Sequence, residues 1–183
     1  MKTIAYALLA TLLPLAMTGT AVSADEAADG FFAALRAQCG ARYVGASGFP
    51  LDPSHDFAGK VLIAEIRSCQ PDEIRIPFAV GEDRSRTWIL RREADGLSWK
   101  HDHRHADGSP DAVTMYGGMA TAGGTALQQA FAADAYTAAL LPAAATNVWT
   151  VTLAADGSTL TYHLARHGQP RYEAVLHRQP AQP

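Results

Sequence analysis

Apolar and polar residues alternate along most of the chain beyond residue 40, and this period of two predicts β-strands. In residues 73–80, for example, Ile74, Ile76 and Phe78 share one face of the predicted strand. Short turns such as Ala94-Asp95-Gly96 and Asp156-Gly157 favour antiparallel neighbours. The same pattern predicts further strands over residues 42–46, 61–67, 86–92, 97–105, 113–118, 148–153, 160–164 and 171–178.

These segments amount to about nine or ten strands in a mainly β chain. A single open sheet of that length would expose unpaired edges, so the pattern favours closure into one antiparallel barrel. A barrel of this size can enclose a cavity for one small ligand. We expect a single domain over residues 25–178, followed by a frayed tail over 179–183.

Helical spacing occurs in two places. In residues 25–38, Phe31, Phe32 and Leu35 predict a short amphipathic helix that packs on the barrel or plugs one end of it. In residues 125–141, Thr125 and Gln128 resemble a capping box, yet strands are predicted on both sides. This second segment is compatible with a helix or with a helix plus a strand.

The N-terminus has the pattern of a secretory signal peptide. An apolar run over residues 4–17 follows Lys2 and contains Pro14, and Val22 and Ala24 provide small residues for cleavage after Ala24. We therefore expect residues 1–24 to be removed and the protein to be exported, either to the periplasm or to the medium. No later segment is long and apolar enough to predict a transmembrane helix.

The two cysteines, Cys39 and Cys69, both follow the predicted signal peptide. Export to an oxidising compartment predicts that they form a disulfide. In the chain-entropy model a loop of ~30 residues closed in this way stabilises the fold by roughly 3 to 4 kcal/mol.

Charge and composition exclude several classes of protein. The 183 residues are 48% hydrophobic and 18% charged with a net charge of -3, which is not the composition of a collagen, a coiled coil or a disordered chain. Because there is no basic excess to neutralise phosphates, nucleic acid is not expected as a partner. The oligomeric state does not follow from these values.

Three histidines alternate along one predicted strand. Trp99, His101, His103 and His105 point to one side, and Asp102 belongs to the opposite side with its charged neighbours. Because Leu97 and Trp99 are typical core residues, we expect the histidines to continue along the inner face toward one mouth of the barrel.

The spacing limits what these histidines can bind. His101 and His105 lie about 13 Å apart on an extended strand, so all three cannot reach one zinc ion. Two neighbours could share a divalent metal or a haem if other elements supplied ligands; the candidates are His55, Asp56, Asp107 and Asp111. The alternative is a polar network in which the imidazoles bond to tyrosine, threonine and backbone groups.

The string LSWKHDHRHADGSPDAVTMYGG, residues 97–118, resembles a segment of a family of secreted bacterial proteins without an assigned activity. The flanking pieces around Trp88 and Trp149 are similar as well, and the likeness spans most of the chain beyond residue 24. The resemblance implies a calycin-type barrel, loosely related to lipocalin-like and fatty-acid-binding-like folds. It implies no catalytic residues.

Together these observations predict a protein that binds a small ligand or a metal in the barrel. An enzyme in which a histidine acts as a base beside Asp107 or Asp111 is the first alternative, and a structural or partner-binding envelope protein is the second. The predicted binding residues are Trp88, Trp99, His101, His103, His105 and Tyr116, of which the three histidines are also the candidate metal ligands.

Overall fold

Antiparallel strands form a closed barrel in the computed structural model, which describes residues 23–49 and 53–180. The predicted signal peptide therefore lies almost entirely outside the described residues. The strands are β1 (Arg42–Ser47), β2 (Leu62–Glu65), β3 (Arg67–Cys69), β4 (Glu73–Val80), β5 (Asp83–Glu93), β6 (Gly96–His103), β7 (Tyr116–Ala120), β8 (Gln128–Ala133), β9 (Asn147–Leu153), β10 (Thr159–Arg166) and β11 (Gln169–Arg178).

The sheet closes because β2 pairs with both β1 and β4. From β3 to β11 each strand pairs with the next one along the chain, and β11 pairs with β1. Strands β2 and β3 are separated only by Ile66 and both pair with β4, so together they fill one position of a ten-stranded barrel. The predicted fold class is confirmed.

Along each strand, every second side chain points into the barrel. In β9, for example, Trp149, Val151 and Leu153 are buried and the residues between them are partly exposed. Inner-face residues of all parts of the sheet belong to one hydrophobic core. Among the described residues, the helices are all too short or too polar to cross a membrane.

Helix α1 (Ala24–Arg36) closes one end of the barrel. The Ser23 hydroxyl caps it by accepting a hydrogen bond from the Glu26 amide at 3.1 Å. Its buried face joins the barrel core, with the ring of Phe31 6.3 Å from that of Phe131. The Arg92 guanidinium lies 4.4 Å from the ring centre of Phe32 and pairs with Asp29. Of the two placements predicted for this helix, packing on the barrel or plugging one end, the structure shows the second.

The predicted disulfide is present between Cys39 and Cys69, with their Cα atoms 6.2 Å apart. Cys39 follows the end of α1, and Cys69 is the last residue of β3. The bridge therefore ties the helix to the end of the barrel that it covers.

Residues 125–141 form a strand followed by a helix. Thr125 does accept hydrogen bonds from the amides of Leu127 and Gln128, at 3.2 and 3.1 Å, but the chain then enters β8. The helix α2 (Ala135–Leu140) begins later, and its N-cap is Asp134, which accepts from the Thr137 amide at 2.8 Å. A 3-10 turn over Pro142–Ala144 follows.

The region after β6 departs from the predicted strands. Strand β6 ends at His103 rather than at residue 105, and β7 begins at Tyr116 rather than at residue 113. Met115 has a φ of 57°, and its amide donates a 2.6 Å hydrogen bond to the His101 carbonyl. A long turn therefore occupies residues 104–115, at the end of the barrel opposite α1.

Candidate functional site

A cavity of about 340 Å³ opens at the barrel end that lies opposite α1. The strands β4, β5, β6, β7, β9, β10 and β11 contribute inner-face residues, and the loops after β1 and α2 complete its rim. Seven of the lining side chains are aromatic: Phe57, Phe78, Trp88, Tyr116, Trp149, Tyr162 and Tyr172. The remaining lining residues are His55, Arg86, His101, His103, Leu141, Ala144, Asn147, Leu164, Arg166 and Arg171.

Three stacked rings form one wall of the cavity. Trp88 lies between Phe78 and Tyr162, with ring centres at 4.2 and 4.7 Å and planes within 18° and 11° of parallel. Because its two faces are covered by these neighbours, the indole is held in one orientation. Aromatic pairs of this kind add roughly 0.5 to 1.5 kcal/mol to the burial of the rings.

The floor of the cavity contains a buried neutral histidine. The side chain of His101 is 4% exposed, and its Nδ1 lies 3.1 Å from the carbonyl oxygen of Tyr116. A carbonyl can only accept, so Nδ1 carries the proton and Nε2 accepts from the Tyr162 hydroxyl at 2.8 Å. Burial lowers the pKa of His101 to about 3, which keeps the ring uncharged at neutral pH.

A second histidine and tyrosine form a pair above this floor. The Tyr116 hydroxyl and Nε2 of His103 are 3.1 Å apart, and the Tyr116 ring stacks on His101 at 4.6 Å. Partial burial lowers the pKa of His103, and the nearby Arg86 guanidinium lowers it further. Burial raises the pKa of Tyr116 to about 12, so this pair is also uncharged at neutral pH.

Arginines supply the positive charge of the cavity lining. Arg86 lies on the same face of β5 as Trp88, and Arg166 lies on the same face of β10 as Tyr162. Arg171 reaches the lining at a β-bulge, because Leu164 pairs with Tyr172 and the next residue pairs with Pro170. Bulges at barrel rims redirect side chains in this way. No carboxylate is among the described residues that line the cavity.

The structure brings together four of the six residues predicted for the site. Trp88, His101, His103 and Tyr116 line the cavity. Trp99 does not; it is fully buried below the floor, with its ring 6.5 Å from that of His101.

The prediction for His105 is corrected. Because β6 ends at His103, the alternation that carried residues 99, 101 and 103 inward no longer applies two residues later. His105 lies in the exposed turn, and its amide donates to the Ser109 carbonyl at 2.9 Å. It is therefore outside the cavity lining.

Few of the predicted metal ligands have ring nitrogens directed together in the described part of the chain. Both ring nitrogens of His101 are engaged in hydrogen bonds, and His105 is not among the residues that line the cavity. Within residues 23–49 and 53–180 no group of three or more His, Cys, Asp or Glu side chains is placed to hold one metal ion. The hydrogen bonds that His101 and His103 do make join the imidazoles to tyrosine and backbone groups, as in the predicted polar network.

The enzyme hypothesis placed Asp107 or Asp111 beside a histidine base, and no carboxylate is among the described residues that line the cavity. His101 bonds to a carbonyl and a phenol, and the side-chain partner of His103 is a phenol. Asp107 accepts from the Ser109 amide at 2.9 Å and Asp111 from the Val113 amide at 2.8 Å, so both shape the turn. This geometry counts against the enzyme hypothesis.

Asp102 holds the same turn from the outer face of β6. Although it points away from the cavity, it is only 4% exposed, since Oδ2 accepts from Arg104 at 2.9 Å and Oδ1 from the Thr114 hydroxyl at 3.2 Å. Thr114 in turn accepts from the His103 amide at 2.8 Å. The ion pair between residues 102 and 104 therefore positions the backbone of His103.

Sequence reasoning missed several lining residues. Trp149, Tyr162 and Tyr172 occupy inner-face positions that the alternation of β9, β10 and β11 does indicate, and Arg166 continues the same face as Tyr162. Arg171 gives no such signal, because alternation alone would place the neighbour of Tyr172 outside.

The comparisons with known proteins provide no relative from which a role could be transferred. No protein-family model, no curated protein and no solved structure matches this chain. What the cavity does must be argued from its own residues.

Proposed function

We propose that this protein binds a small organic ligand in the cavity at the barrel mouth. The observation that carries the proposal is the aromatic lining: seven rings surround a space of about 340 Å³ that opens at one end only of a barrel whose other end is covered by α1. Ligand pockets in proteins span ≈ 300–1,000 Å³ and are mostly apolar with a few polar groups.

The neutral histidines support a binding role. His101 is fixed by two hydrogen bonds and by stacking on Tyr116, so it is part of a rigid wall. A preformed wall lowers the entropy lost when a ligand binds. Metal or haem binding is the weaker candidate. Both ring nitrogens of His101 are engaged in hydrogen bonds, so of the predicted ligands that line the cavity only His103 has a ring nitrogen without a described hydrogen bond.

A structural or partner-binding role has less support than a cavity ligand. In the described part of the chain the large hydrophobic side chains that are exposed are Val61, Val113 and Tyr136. Interaction surfaces usually present a continuous apolar patch of several hundred Å². Three such residues on separate segments do not provide one.

Isothermal titration calorimetry with 2-naphthamide, a neutral aromatic probe, tests the proposal. Leu164 lines the cavity from β10, so Leu164→Trp should fill the space and abolish binding. The matched control is Thr161→Trp, which adds the same ring to the outer face of that strand. Equal binding by wild type and Leu164→Trp would place the probe elsewhere and contradict the proposal, provided both variants keep a cooperative thermal transition.

We also propose that the protein is an exported member of the family that residues 97–118 resemble. The disulfide between Cys39 and Cys69 supports an oxidising compartment. Mass spectrometry of the protein from its native host, without reductant, should give a chain that begins at Asp25 and has no free thiol. A chain that retains residues 1–24 would contradict export by cleavage at this site.

A further inference from the structure

We infer that the ligand of the barrel cavity is an organic anion, with an apolar or aromatic body and a carboxylate-like head group held by Arg166 and Arg171. The inference rests on the proposed binding function and specifies the chemical class of the ligand.

Arg166 is directed to the mouth by the strand that also carries the aromatic wall. It lies two residues beyond Leu164 on the inner face of β10 and is half-buried. Its Nε donates to the Asn147 side-chain oxygen at 2.8 Å, and that amide is neutral. The guanidinium is therefore oriented by Asn147, but no carboxylate within 4 Å compensates its charge in the described part of the chain.

Arg171 has still fewer partners. It occupies the bulge of β11 opposite Leu164 and Ala165, and its exposed side chain makes no hydrogen bond or ion pair with the described residues. A guanidinium without a partner among the described residues, at the edge of an aromatic cavity, suits an incoming group that accepts hydrogen bonds.

Other charges around the mouth do not cancel this pair. Arg86 is the third cation of the lining, and it is balanced by Asp83 outside the cavity and lies 5.2 Å from the ring centre of Phe57. The lining also contains His55, His101 and His103, and the carboxylates of Asp111, Asp83 and Asp102 act on His103 from outside the lining. Elsewhere in the described chain most basic side chains have a carboxylate partner, for example Arg104 with Asp102.

Guanidinium groups favour one kind of head group. Their planar fork donates two parallel hydrogen bonds to a carboxylate, and they are less strongly hydrated than an ammonium group. The aromatic wall below them would contact the apolar body of the same ligand. A cationic ligand would instead meet three arginines without a lining carboxylate, which disfavours it.

Two probes with the same ring system test the inference. Titration calorimetry at pH 7.5 compares 2-naphthoate, which is ionised, with the neutral 2-naphthamide. We expect naphthoate to bind at least about tenfold more tightly, and its affinity to fall as salt is added. Arg166→Gln and Arg171→Gln should each lower the affinity for naphthoate by a larger factor than the affinity for naphthamide, so that the preference for the anion shrinks.

Arg178→Gln is the matched control, since it removes the same charge from an exposed position of β11 away from the cavity. It should keep the wild-type preference. If both probes bind equally, the anion inference is overturned and the proposed binding function stands. If neither probe binds, both are overturned. Should Arg178→Gln lower naphthoate binding as much as Arg171→Gln does, the effect is one of net charge and the assignment of the head-group site is wrong.

Discussion

The Tyr162 hydroxyl donates a 2.8 Å hydrogen bond to Nε2 of His101, and both groups are buried at the floor of the cavity. Since Nδ1 of His101 donates to a backbone carbonyl, the ring is locked in one tautomer between two strands and the start of β7. The first histidine of the HDHRH string is therefore a structural acceptor that links β6 to β10.

Removal of the Tyr162 hydroxyl should lower the free energy of unfolding. In Tyr162→Phe the aromatic stacking on Trp88 is retained, but Nε2 of His101 loses its donor in a site where both residues are less than a tenth exposed. Leaving a buried acceptor unsatisfied costs about 1 to 3 kcal/mol, which urea unfolding would measure. Tyr136→Phe is the control, because that hydroxyl bonds to the Thr114 carbonyl at 3.1 Å at an exposed position, and a loss of about 0.5 kcal/mol or less is expected. Equal losses for the two variants would contradict the structural role of the pair.

The same histidine should make stability depend on pH. Burial lowers the pKa of His101 to about 3 in the folded state, while a histidine in the unfolded chain titrates near its ordinary value of ≈ 6.5. Between these values the unfolded state binds a proton that the folded state does not, so the free energy of unfolding falls as the pH drops through this window. One such group contributes about 1.4 kcal/mol per pH unit, or about 2 kcal/mol between pH 6.5 and pH 5.

Urea unfolding at pH 7.5, 6.0 and 5.0 measures this dependence. His101→Gln should be less stable than wild type at pH 7.5 but should lose less stability on acidification. His163→Gln is the matched control on the outer face of β10, where Nδ1 lies 3.6 Å from Glu173. An identical pH profile for wild type and His101→Gln would mean that this ring is not the group that titrates.

The disulfide should stabilise the folded chain to a comparable extent. Cys39 and Cys69 are separated by 30 residues, and opening a loop of this length costs roughly 3 to 4 kcal/mol in the chain-entropy model. The double variant Cys39→Ser, Cys69→Ser should unfold at correspondingly lower urea. Reductant should bring wild type to the same midpoint and leave the variant unaffected; a midpoint shift in the variant as well would point to an effect of reductant unrelated to the bridge.

The barrel could be predicted from sequence because the two sides of its strands differ in polarity. Residues such as Ile74, Ile76 and Phe78 face the core, and their neighbours do not. Strand β8 was not predicted because its sequence QQAFAA shows little contrast in polarity between its two faces. Gln129 and Phe131 are buried, but alanines occupy three of the other positions and favour a helix locally.

The site was predicted less completely for a related reason. Alternation identifies a face but not where a strand ends, so it carried His105 inward beyond the true end of β6. Nor does it indicate a bulge, and Arg171 lines the cavity only because one extra residue interrupts the pairing of β11 with β10. Long-range contacts such as that between His101 and Tyr162 depend on strand order, which local patterns do not contain.

Glycine at the start of β7 should be required for folding, because β6 approaches Gly117 closely. Gly117 has a φ of 150°, and a Cβ there would lie 1.9 Å from the Trp99 carbonyl oxygen on β6. Since the contact at Gly117 is with backbone, β6 and β7 cannot separate without breaking pairs of the barrel wall beside the cavity. Gly117→Ala should therefore cost several kcal/mol or prevent folding, as seen by loss of the cooperative thermal transition.

Gly108→Ala separates this steric effect from the cost of a positive φ. Gly108 has a φ of 84° in the turn after β6, and no atom lies within 4 Å of the added Cβ. Only the conformational cost of about 1 to 2 kcal/mol should appear there. If Gly117→Ala were no worse than Gly108→Ala, β6 and β7 would have room to separate, and the close approach of these strands would not be what the glycine is needed for.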